Sequence, residues 1–202
     1  GISEYENCSN KFTEWTAEDS ENSISLDKHD MDCGNNLISG YQLKKDDKGK
    51  YRYEYTCCPN PSDAESISRH TPLNNDGKGN STLNRHNLEC KNGLISSINF
   101  KRGGNGKKIQ FNYTCKNTGV IACSTHNTEW EGEDKENTTY LDRHNLKCPI
   151  DKSLKSVKLV SNGKGKFRYE YTCCESSKDI KAPLPPKKVL IGELHHLQNQ
   201  RK

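Results

Sequence analysis

Apolar and polar residues alternate along several short segments of the chain. In residues 51–55 three tyrosines alternate with Arg52 and Glu54, and residues 37–43 show the same period of two. Successive side chains of a β-strand point to opposite faces, so the pattern predicts strands with one buried face. No segment shows the 3.6-residue periodicity of an amphipathic helix. The chain is therefore predicted to be all-β.

The alternating segments belong to a longer repeat that occurs three times. Each copy begins with Leu-x-x-His-x-x-x-Cys, continues through two alternating segments and ends with aromatic-x-Tyr-Thr-Cys. Lys-, Asp-, Asn- and Gly-rich stretches between the segments predict hairpin turns. The copies begin at Leu26, Leu83 and Leu141 and end at Cys57, Cys115 and Cys173. We expect three tandem, disulfide-stapled antiparallel β repeats, each a small sheet of three or four strands.

The repeat divides the chain into four parts: residues 1–58, 59–122, 123–174 and a tail, 175–202. Repeats 1 and 3 open with a Cys that is followed seven residues later by Trp15 or Trp130. In repeat 2, residues 59–65 stand in place of this opening and contain no Trp, so we expect a loop there. We expect each Trp to cover the disulfide of its own repeat.

The tail departs from the repeat. Residues 182–186 are proline-rich, which predicts a stiff polyproline linker that cannot lie inside a sheet. The apolar run that follows predicts an extra C-terminal strand, which would add to the edge of a sheet in the same chain or in a neighbouring copy. A frayed tail, or a strand folded back on repeat 3, is the alternative. The candidate assembly residues are Val189, Leu190, Ile191 and Leu194.

The ten cysteines follow the repeat. Repeats 1 and 3 end in Cys-Cys, whereas repeat 2 ends in Cys115-Lys116 and also lacks the opening Cys. The opening Cys and the second Cys of the terminal pair are thus present together or absent together. We therefore pair them as one type of disulfide. The predicted bonds are Cys8–Cys58 and Cys123–Cys174, with Cys33–Cys57, Cys90–Cys115 and Cys148–Cys173 as the second type. Two alternatives stay open: a Cys58–Cys123 bond, or an exchange that gives Cys8–Cys57 with Cys33–Cys58.

Composition favours an extracellular protein. Of the 202 residues, 30% are hydrophobic and 29% charged, so small units of this chain need disulfides to be stable. Cysteine-rich repeats are typical of oxidising compartments. The chain begins at Gly1 without an apolar leader, so we expect a mature secreted chain. Four Asn-x-Ser/Thr sequons predict covalently attached N-linked glycans at Asn7, Asn80, Asn112 and Asn137.

Charge and hydropathy argue against two classes of partner. The net charge is only +4, and the basic residues lie mostly in turns and in the tail, so we expect no nucleic-acid partner. No stretch approaches the roughly twenty apolar residues of a membrane span, so we expect none.

Three histidines occupy one position of the repeat: His29, His86 and His144. Threefold packing could bring their rings together as a metal site. The favoured interpretation is that each His forms a hydrogen bond within its own repeat, and we expect no metal and no cofactor. With all cysteines in disulfides and no recognisable catalytic motif, we expect that the protein is not an enzyme.

Residues 141–148 read Leu-Asp-Arg-His-Asn-Leu-Lys-Cys, and residues 169–174 read Tyr-Glu-Tyr-Thr-Cys-Cys. This pair of motifs resembles a cysteine-rich repeat of eukaryotic secreted and surface proteins. It is loosely similar to dermatopontin-type matrix modules, which also join a strand-rich repeat to a Tyr/Phe-x-Cys-Cys ending, although their Asp-Arg-x-x-Trp signature is absent. The resemblance covers the three repeats but not the tail. It implies an extracellular matrix or coat component and assigns no binding residues.

Two functions are consistent with these observations. The first is a secreted structural glycoprotein that assembles with copies of itself into an extracellular filament, coat or matrix, with the tail strand docked on a neighbouring subunit. The alternative is a secreted lectin-like protein with one shallow carbohydrate site per repeat, in which Trp15 and Trp130 stack on sugars. Its partners would be matrix glycans.

Overall fold

The computed structural model describes residues 7–17, 26, 29–75, 86–103, 108–132, 141 and 144–177. These residues form fifteen β-strands, and all their pairings are antiparallel, so the predicted all-β class is confirmed. Repeat 1 contains β1 (Ser9–Phe12), β2 (Thr16–Ala17), β3 (Asp30–Asp32), β4 (Leu37–Lys45) and β5 (Lys50–Cys58). Repeat 2 contains β6 (Ser66–His70), β7 (Asn74–Asn75), β8 (Asn87–Glu89), β9 (Leu94–Gly103) and β10 (Lys108–Lys116). Repeat 3 contains β11 (Val120–Asn127), β12 (Glu131–Gly132), β13 (Asn145–Lys147), β14 (Ser153–Ser161) and β15 (Lys166–Ser176).

The alternating segments form the long hairpins β4–β5, β9–β10 and β14–β15. In β5 the three tyrosines are buried and the residues between them are half-buried, as the period of two predicts. Each hairpin contains a β-bulge at the same place, where one residue of the first strand has no partner in the second. The bulged residues are Ser39, Ser96 and Lys155.

Each sheet also contains a three-residue strand from another repeat. β3 of repeat 1 pairs with β9, β8 of repeat 2 pairs with β14, and β13 of repeat 3 pairs with β4, which closes a ring. Sheet 1 is thus β1, β2, β5, β4 and β13; sheet 2 is β6, β7, β10, β9 and β3; sheet 3 is β11, β12, β15, β14 and β8. The expectation of three or four strands from a single repeat is wrong, because five strands from two repeats form each sheet.

The bulges explain where the exchanged strands attach. A bulge leaves a backbone carbonyl unpaired within its own hairpin. In each sheet this carbonyl accepts a hydrogen bond from the cysteine that follows the exchanged strand. The bonds run from the amides of Cys33, Cys90 and Cys148 to the carbonyls of Ser96, Lys155 and Ser39, at 2.9, 3.0 and 2.9 Å.

The three repeats share one main core. The central strands β4, β9 and β14 contact one another pairwise to the same extent, which places them around a pseudo-threefold axis. Equivalent residues of the three strands meet there. They are Tyr41, Ile98 and Val157 in one layer, and Leu43, Phe100 and Leu159 in the next. The repeats therefore form a single body, because no repeat buries its apolar face alone.

Two of the predicted repeat boundaries, those at residues 122 and 174, fall inside strands. β11 begins at Val120, before the boundary at residue 122, and β15 continues to Ser176, beyond the boundary at residue 174. Val120 pairs with Ser176 and Ile121 pairs with Glu175, so the two strands continue for two pairings beyond the Cys123–Cys174 disulfide. The predicted C-terminal strand and its residues Val189, Leu190, Ile191 and Leu194 lie outside the described residues, as do Asn80 and Asn137.

Repeat 2 keeps the opening strand that the sequence analysis replaced with a loop. Residues 59–65 contain no strand, but β6 occupies the place of β1, with Ser66 paired to Lys116 where the other repeats have a disulfide. The Lys116 ammonium donates hydrogen bonds to Ser66 Oγ (2.6 Å) and Asn35 Oδ1 (3.3 Å). Residues 59–65 therefore do not correspond to the opening of repeats 1 and 3, and that assignment is wrong. In the register of β6, Leu73 stands at the position of Trp15.

All ten cysteines lie in the described part of the chain, where they form five disulfides and none is free. The alternation of β5 explains how adjacent cysteines choose partners, since Cys57 faces the core and Cys58 the outer side. Neither alternative pairing occurs in the structure. The bonds are Cys8–Cys58, Cys33–Cys57, Cys90–Cys115, Cys123–Cys174 and Cys148–Cys173, the pairs expected from the repeat.

Candidate binding grooves on the outer sheet faces

The repeated histidines link segments within their own repeats. All three are buried, and each Nδ1 lies 2.7 Å from the hydroxyl of a threonine. The same hydroxyl accepts a hydrogen bond from a backbone amide of the long strand. The sets are Thr13, His29 and Tyr53; Thr71, His86 and Phe111; and Thr128, His144 and Tyr169. The described residues contain no group of three or more His, Cys, Asp or Glu placed to hold a metal.

The sequence carries only a weak signal for these threonines. In repeats 1 and 3 a Thr stands two residues before the Trp, and Thr71 stands two residues before Leu73. A single Thr carries little information in a chain rich in Thr and Ser. Its role becomes visible only when the strand pairing places it opposite the amide of the long strand.

Trp15 and Trp130 do not cover disulfides. Trp15 precedes Thr16, which pairs with Tyr51, seven residues from Cys58 along β5. At about 3.3 Å per residue, Trp15 lies roughly 20 Å from the Cys8–Cys58 disulfide. The expectation that the Trp covers the disulfide of its own repeat is therefore wrong.

Each Trp instead stacks on an arginine. The Arg52 guanidinium lies 4.1 Å from the centre of the Phe12 ring and 4.4 Å from that of Trp15, and Arg168 lies 4.3 Å from that of Trp130. One face of each indole is therefore occupied by a cation rather than open to a sugar.

The cavity on the pseudo-threefold axis is too small for a ligand. Its volume is about 30 Å³, enough for one or two water molecules, and it is lined mainly by apolar side chains. Burial, with smaller contributions from Tyr169 and Tyr53, raises the pKa of Tyr41 well above its ordinary value, and burial also raises the pKa of Tyr169. Both phenols are therefore neutral at physiological pH, and they belong to the core.

A larger groove, groove 1, lies on the outer face of sheet 1 and has a volume of about 440 Å³. Strand pairing places two rows of side chains across it. The first row is Phe12, Glu54, Gln42 and Asn145; the second is Asn10, Thr56, Gly40 and Lys147. Thr56 Oγ1 donates to Asn10 Oδ1 (3.1 Å), and Glu54 pairs with Arg52 (2.9 Å). Aromatic, amide, carboxylate and ammonium groups are thus combined on one surface.

Gly40 forms part of the floor of groove 1. A Cβ atom at this position would lie 2.3 Å from the carbonyl oxygen of Leu146, which is shorter than any allowed contact. The exchanged strand β13 therefore approaches β4 so closely that no side chain fits. The absence of a side chain keeps the groove open at its centre.

Groove 2 occupies the equivalent place on sheet 2, with a volume of about 240 Å³. Ser97 replaces Gly40 there, and its hydroxyl donates to Thr114 Oγ1 (2.8 Å), which fills part of the space. The sequon residue Asn112 lines this groove at the position of Glu54, on the outward side of β10. A glycan attached to Asn112 would begin inside groove 2. The other described sequon residue, Asn7, is exposed and directly precedes the Cys8–Cys58 disulfide.

The exchanged strands place side chains of opposite charge at equivalent positions of sheets 1 and 2. β13 places Lys147 beside Gly40 in sheet 1, whereas β3 places Asp32 beside Ser97 and Asp30 beside Asn99 in sheet 2. Partial burial and then Asp32 raise the pKa of the Asp30 carboxyl, and Lys101 opposes the rise.

The fold and its surface define an all-β, disulfide-stabilised protein of three repeats around a pseudo-threefold axis, with equivalent grooves on two outer faces. No protein-family model, no curated protein and no solved structure matches the chain. Within the described part of the chain there is no helix with the length and hydrophobicity needed to cross a bilayer.

Proposed function

We propose that the protein is a secreted, non-enzymatic structural glycoprotein that assembles with copies of itself into an extracellular filament, coat or matrix. One observation carries the proposal: each sheet ends in an exposed edge strand. β1 is exposed at all four residues, β6 at four of five and β11 at five of eight, and within the described residues these strands pair on one side only. Such edges accept a further strand through free backbone groups.

The edge strands also expose apolar side chains. Ile67 on β6 is 39% exposed and Ile121 on β11 is 49% exposed. An apolar residue on an open edge favours pairing with another strand, which many proteins prevent there with charged residues or proline. The apolar run that contains Val189, Leu190, Ile191 and Leu194 supplies the added strand from a neighbouring subunit, and the proline-rich linker sets its reach.

The folded body suits a structural role. Five disulfides and the exchanged strands tie the three repeats into one body that withstands an oxidising extracellular environment. N-linked glycans at the four sequons complete the glycoprotein, and its partners are copies of itself, with no nucleic acid.

The test compares the purified native protein with three variants by negative-stain electron microscopy and size-exclusion chromatography. The first variant lacks residues 182–202, and the second carries Ile121→Lys, which places a charge on the edge strand. The matched control is Ile150→Lys, because Ile150 is equally exposed, at 47%, but lies in a turn. Circular dichroism verifies that each variant is folded.

We expect filaments or sheets from the native protein and from Ile150→Lys, and dispersed monomers from the other two variants. Polymers of unchanged size after removal of the tail would reject the proposed joint. Monomers in the native sample across the concentration range would reject self-assembly altogether.

A further inference from the structure

We propose that the Cys8–Cys58 disulfide is a site of covalent modification, at which a small thiol attaches to Cys8 while the body stays folded. The five disulfides fall into two classes that differ in exposure. The outer class consists of Cys8–Cys58 and Cys123–Cys174, and the inner class consists of the other three bonds. The proposal is independent of self-assembly.

The inner disulfides are closed to solvent, whereas the outer ones are not. All six cysteines of the inner class are at most 5% exposed. Cys8 and Cys58 are both half-buried, and Cys123 is exposed although its partner Cys174 is fully buried. A thiolate has to reach a sulfur atom in order to attack it, so exchange in the folded protein is restricted to the outer class.

The fold does not require an outer disulfide in every repeat. In repeat 2, Ser66 and Lys116 take the place of this bond, and β6 still pairs with β10 without a break in register. The inner bond of the same repeat, Cys90–Cys115, is present. Each repeat thus has an inner bond, whereas one of the three folds without an outer bond. We therefore expect repeat 1 to keep its sheet when its outer bond is open.

A cavity gives a small thiol access to the outer bond of repeat 1. Cys8 and Cys58 both line it, together with Asn7, Pro59 and Pro61, at the end of sheet 1 where β1 begins and β5 ends. Its volume is about 350 Å³, which lies within the range of small-ligand sites. A low-molecular-weight thiol can therefore enter beside the two sulfur atoms.

The Ser39 hydroxyl favours Cys58 as the sulfur that leaves. Ser39 Oγ lies 3.3 Å from Cys58 Sγ, so its O–H can donate to the thiolate that forms when the bond breaks. In repeat 3, Lys155 stands in place of Ser39, and its ammonium forms an ion pair with Glu89 instead. Cys174 is also fully buried in an apolar cluster, where a thiolate is costly. The outer bond of repeat 1 should therefore open before that of repeat 3.

The exchange step conserves the number of disulfide bonds. The thiolate of the small thiol attacks Cys8 Sγ and forms a mixed disulfide with it, and the bond between Cys8 and Cys58 breaks. The electron pair of that bond stays on Cys58, whose thiolate then takes a proton from water. No oxidant or reductant is consumed. Attack of Cys58 on the mixed disulfide releases the small thiol and restores the original bond.

The test is a time course of the native full chain with excess reduced glutathione at neutral pH, without denaturant. N-ethylmaleimide then blocks the free thiols, and peptide mapping by mass spectrometry locates each adduct. We expect glutathione on Cys8 and a blocked thiol on Cys58 first, with Cys123–Cys174 opening at least about tenfold more slowly and the inner bonds closed. Circular dichroism shows whether the protein is folded at each time.

Two variants test the role of the Ser39 hydroxyl. Ser39→Ala keeps the backbone carbonyl that binds the Cys148 amide, and it should slow opening of the outer bond of repeat 1 by at least about threefold. The matched control, Ser96→Ala, changes the equivalent bulge residue of repeat 2 and should leave the rate unchanged. The outer bond of repeat 3 is the internal reference, because general loosening of the fold would speed its opening as well.

Four results would overturn the proposal. They are no adduct on Cys8 in the folded protein, an adduct on Cys58 instead, opening of inner bonds as fast as the outer ones, and loss of the circular dichroism signal when the outer bond of repeat 1 opens. An unchanged opening rate in Ser39→Ala would reject the role given to its hydroxyl.

Discussion

Two equivalent turn residues make the same hydrogen bonds with side chains of different charge. In the β4–β5 turn, Asp46 Oδ1 accepts hydrogen bonds from the amides of Lys50 and Lys48, both at 2.8 Å. In the β14–β15 turn, Asn162 Oδ1 accepts them from the amides of Lys166 (3.2 Å) and Lys164 (2.6 Å). The Lys50 amide, together with that of Lys48, holds the pKa of the Asp46 carboxyl below its ordinary value of 3.8. Of these two turns, the β4–β5 turn alone is therefore expected to depend on pH.

Acid should open the first turn and leave the third repeat's turn closed. Because the folded-state pKa of Asp46 is lowered, its contribution to stability is complete above pH 3.8 and is lost as the pH falls through the lowered value. Hydrogen exchange of the Lys50 amide should accelerate in acid relative to that of Lys166, and Asp46→Asn should abolish the difference. Equal acid responses of the two amides would contradict this explanation.

At the scale of elements, the strand pair β6–β10 shows how repeat 2 manages without a second disulfide. Ser66 and Lys116 stand opposite each other at the place of the Cys8–Cys58 and Cys123–Cys174 bonds, whose Cα atoms are 4.2 and 4.1 Å apart. A hydrogen bond of 2.6 Å replaces the covalent link. The position is therefore compatible with a disulfide, although the sequence lacks both cysteines.

The double substitution Ser66→Cys and Lys116→Cys should form a sixth disulfide. A bond across a loop of this length stabilises a protein by about 4 kcal/mol in the chain-entropy account, reduced here by the loss of the Lys116 hydrogen bonds. Mass spectrometry after thiol alkylation should find no free thiol, and the melting temperature should rise. The control is the same protein under reducing conditions. Two alkylated cysteines in the oxidised sample would show that the register between β6 and β10 differs from the one described.

The elements divide into those that sequence reveals and those that it does not. The long hairpins were predictable because alternation over seven or more residues and a short turn are local signals. The disulfide pairs follow from which cysteines are missing together in repeat 2. By contrast, β3, β8 and β13 have three residues each, too few for a periodic pattern, and each pairs with another repeat. Groove 1 depends on that exchange, because Asn145, Leu146 and Lys147 of β13 line it, so its lining could not be predicted from the sequence of one repeat.

At the scale of the whole molecule, the junction between β13 and β4 closes the ring. It joins repeat 3 to repeat 1, and it alone among the three junctions has a glycine, Gly40, where the others have Ser97 and Ser156. A Cβ atom on Gly40 would lie 2.3 Å from the Leu146 carbonyl oxygen. The backbone, rather than a flexible side chain, would have to move, and all three repeats share the core that would be strained.

Gly40→Ala should therefore destabilise the entire molecule by about 2 kcal/mol, the cost typical of overpacking. The equivalent substitution Ser156→Ala serves as the control and should change stability by less than about 0.5 kcal/mol. Denaturant unfolding followed by tyrosine fluorescence measures both. Equal stability of Gly40→Ala and the native chain would show that β13 can move away from β4 without cost.

The ring also sets an order of events during biosynthesis. Gly40 of β4 pairs with Lys147 of β13, roughly a hundred residues later, a stretch that a ribosome needs on the order of 5 to 20 s to translate. Repeat 1 contains both partners of Cys8–Cys58 and of Cys33–Cys57, so oxidation can fix its hairpin early. During that interval the edge of β4 has no partner, and a nascent chain that stops before residue 145 cannot cover it. Such a truncated chain would be an oxidised hairpin with one open edge, the feature that most favours pairing with another strand.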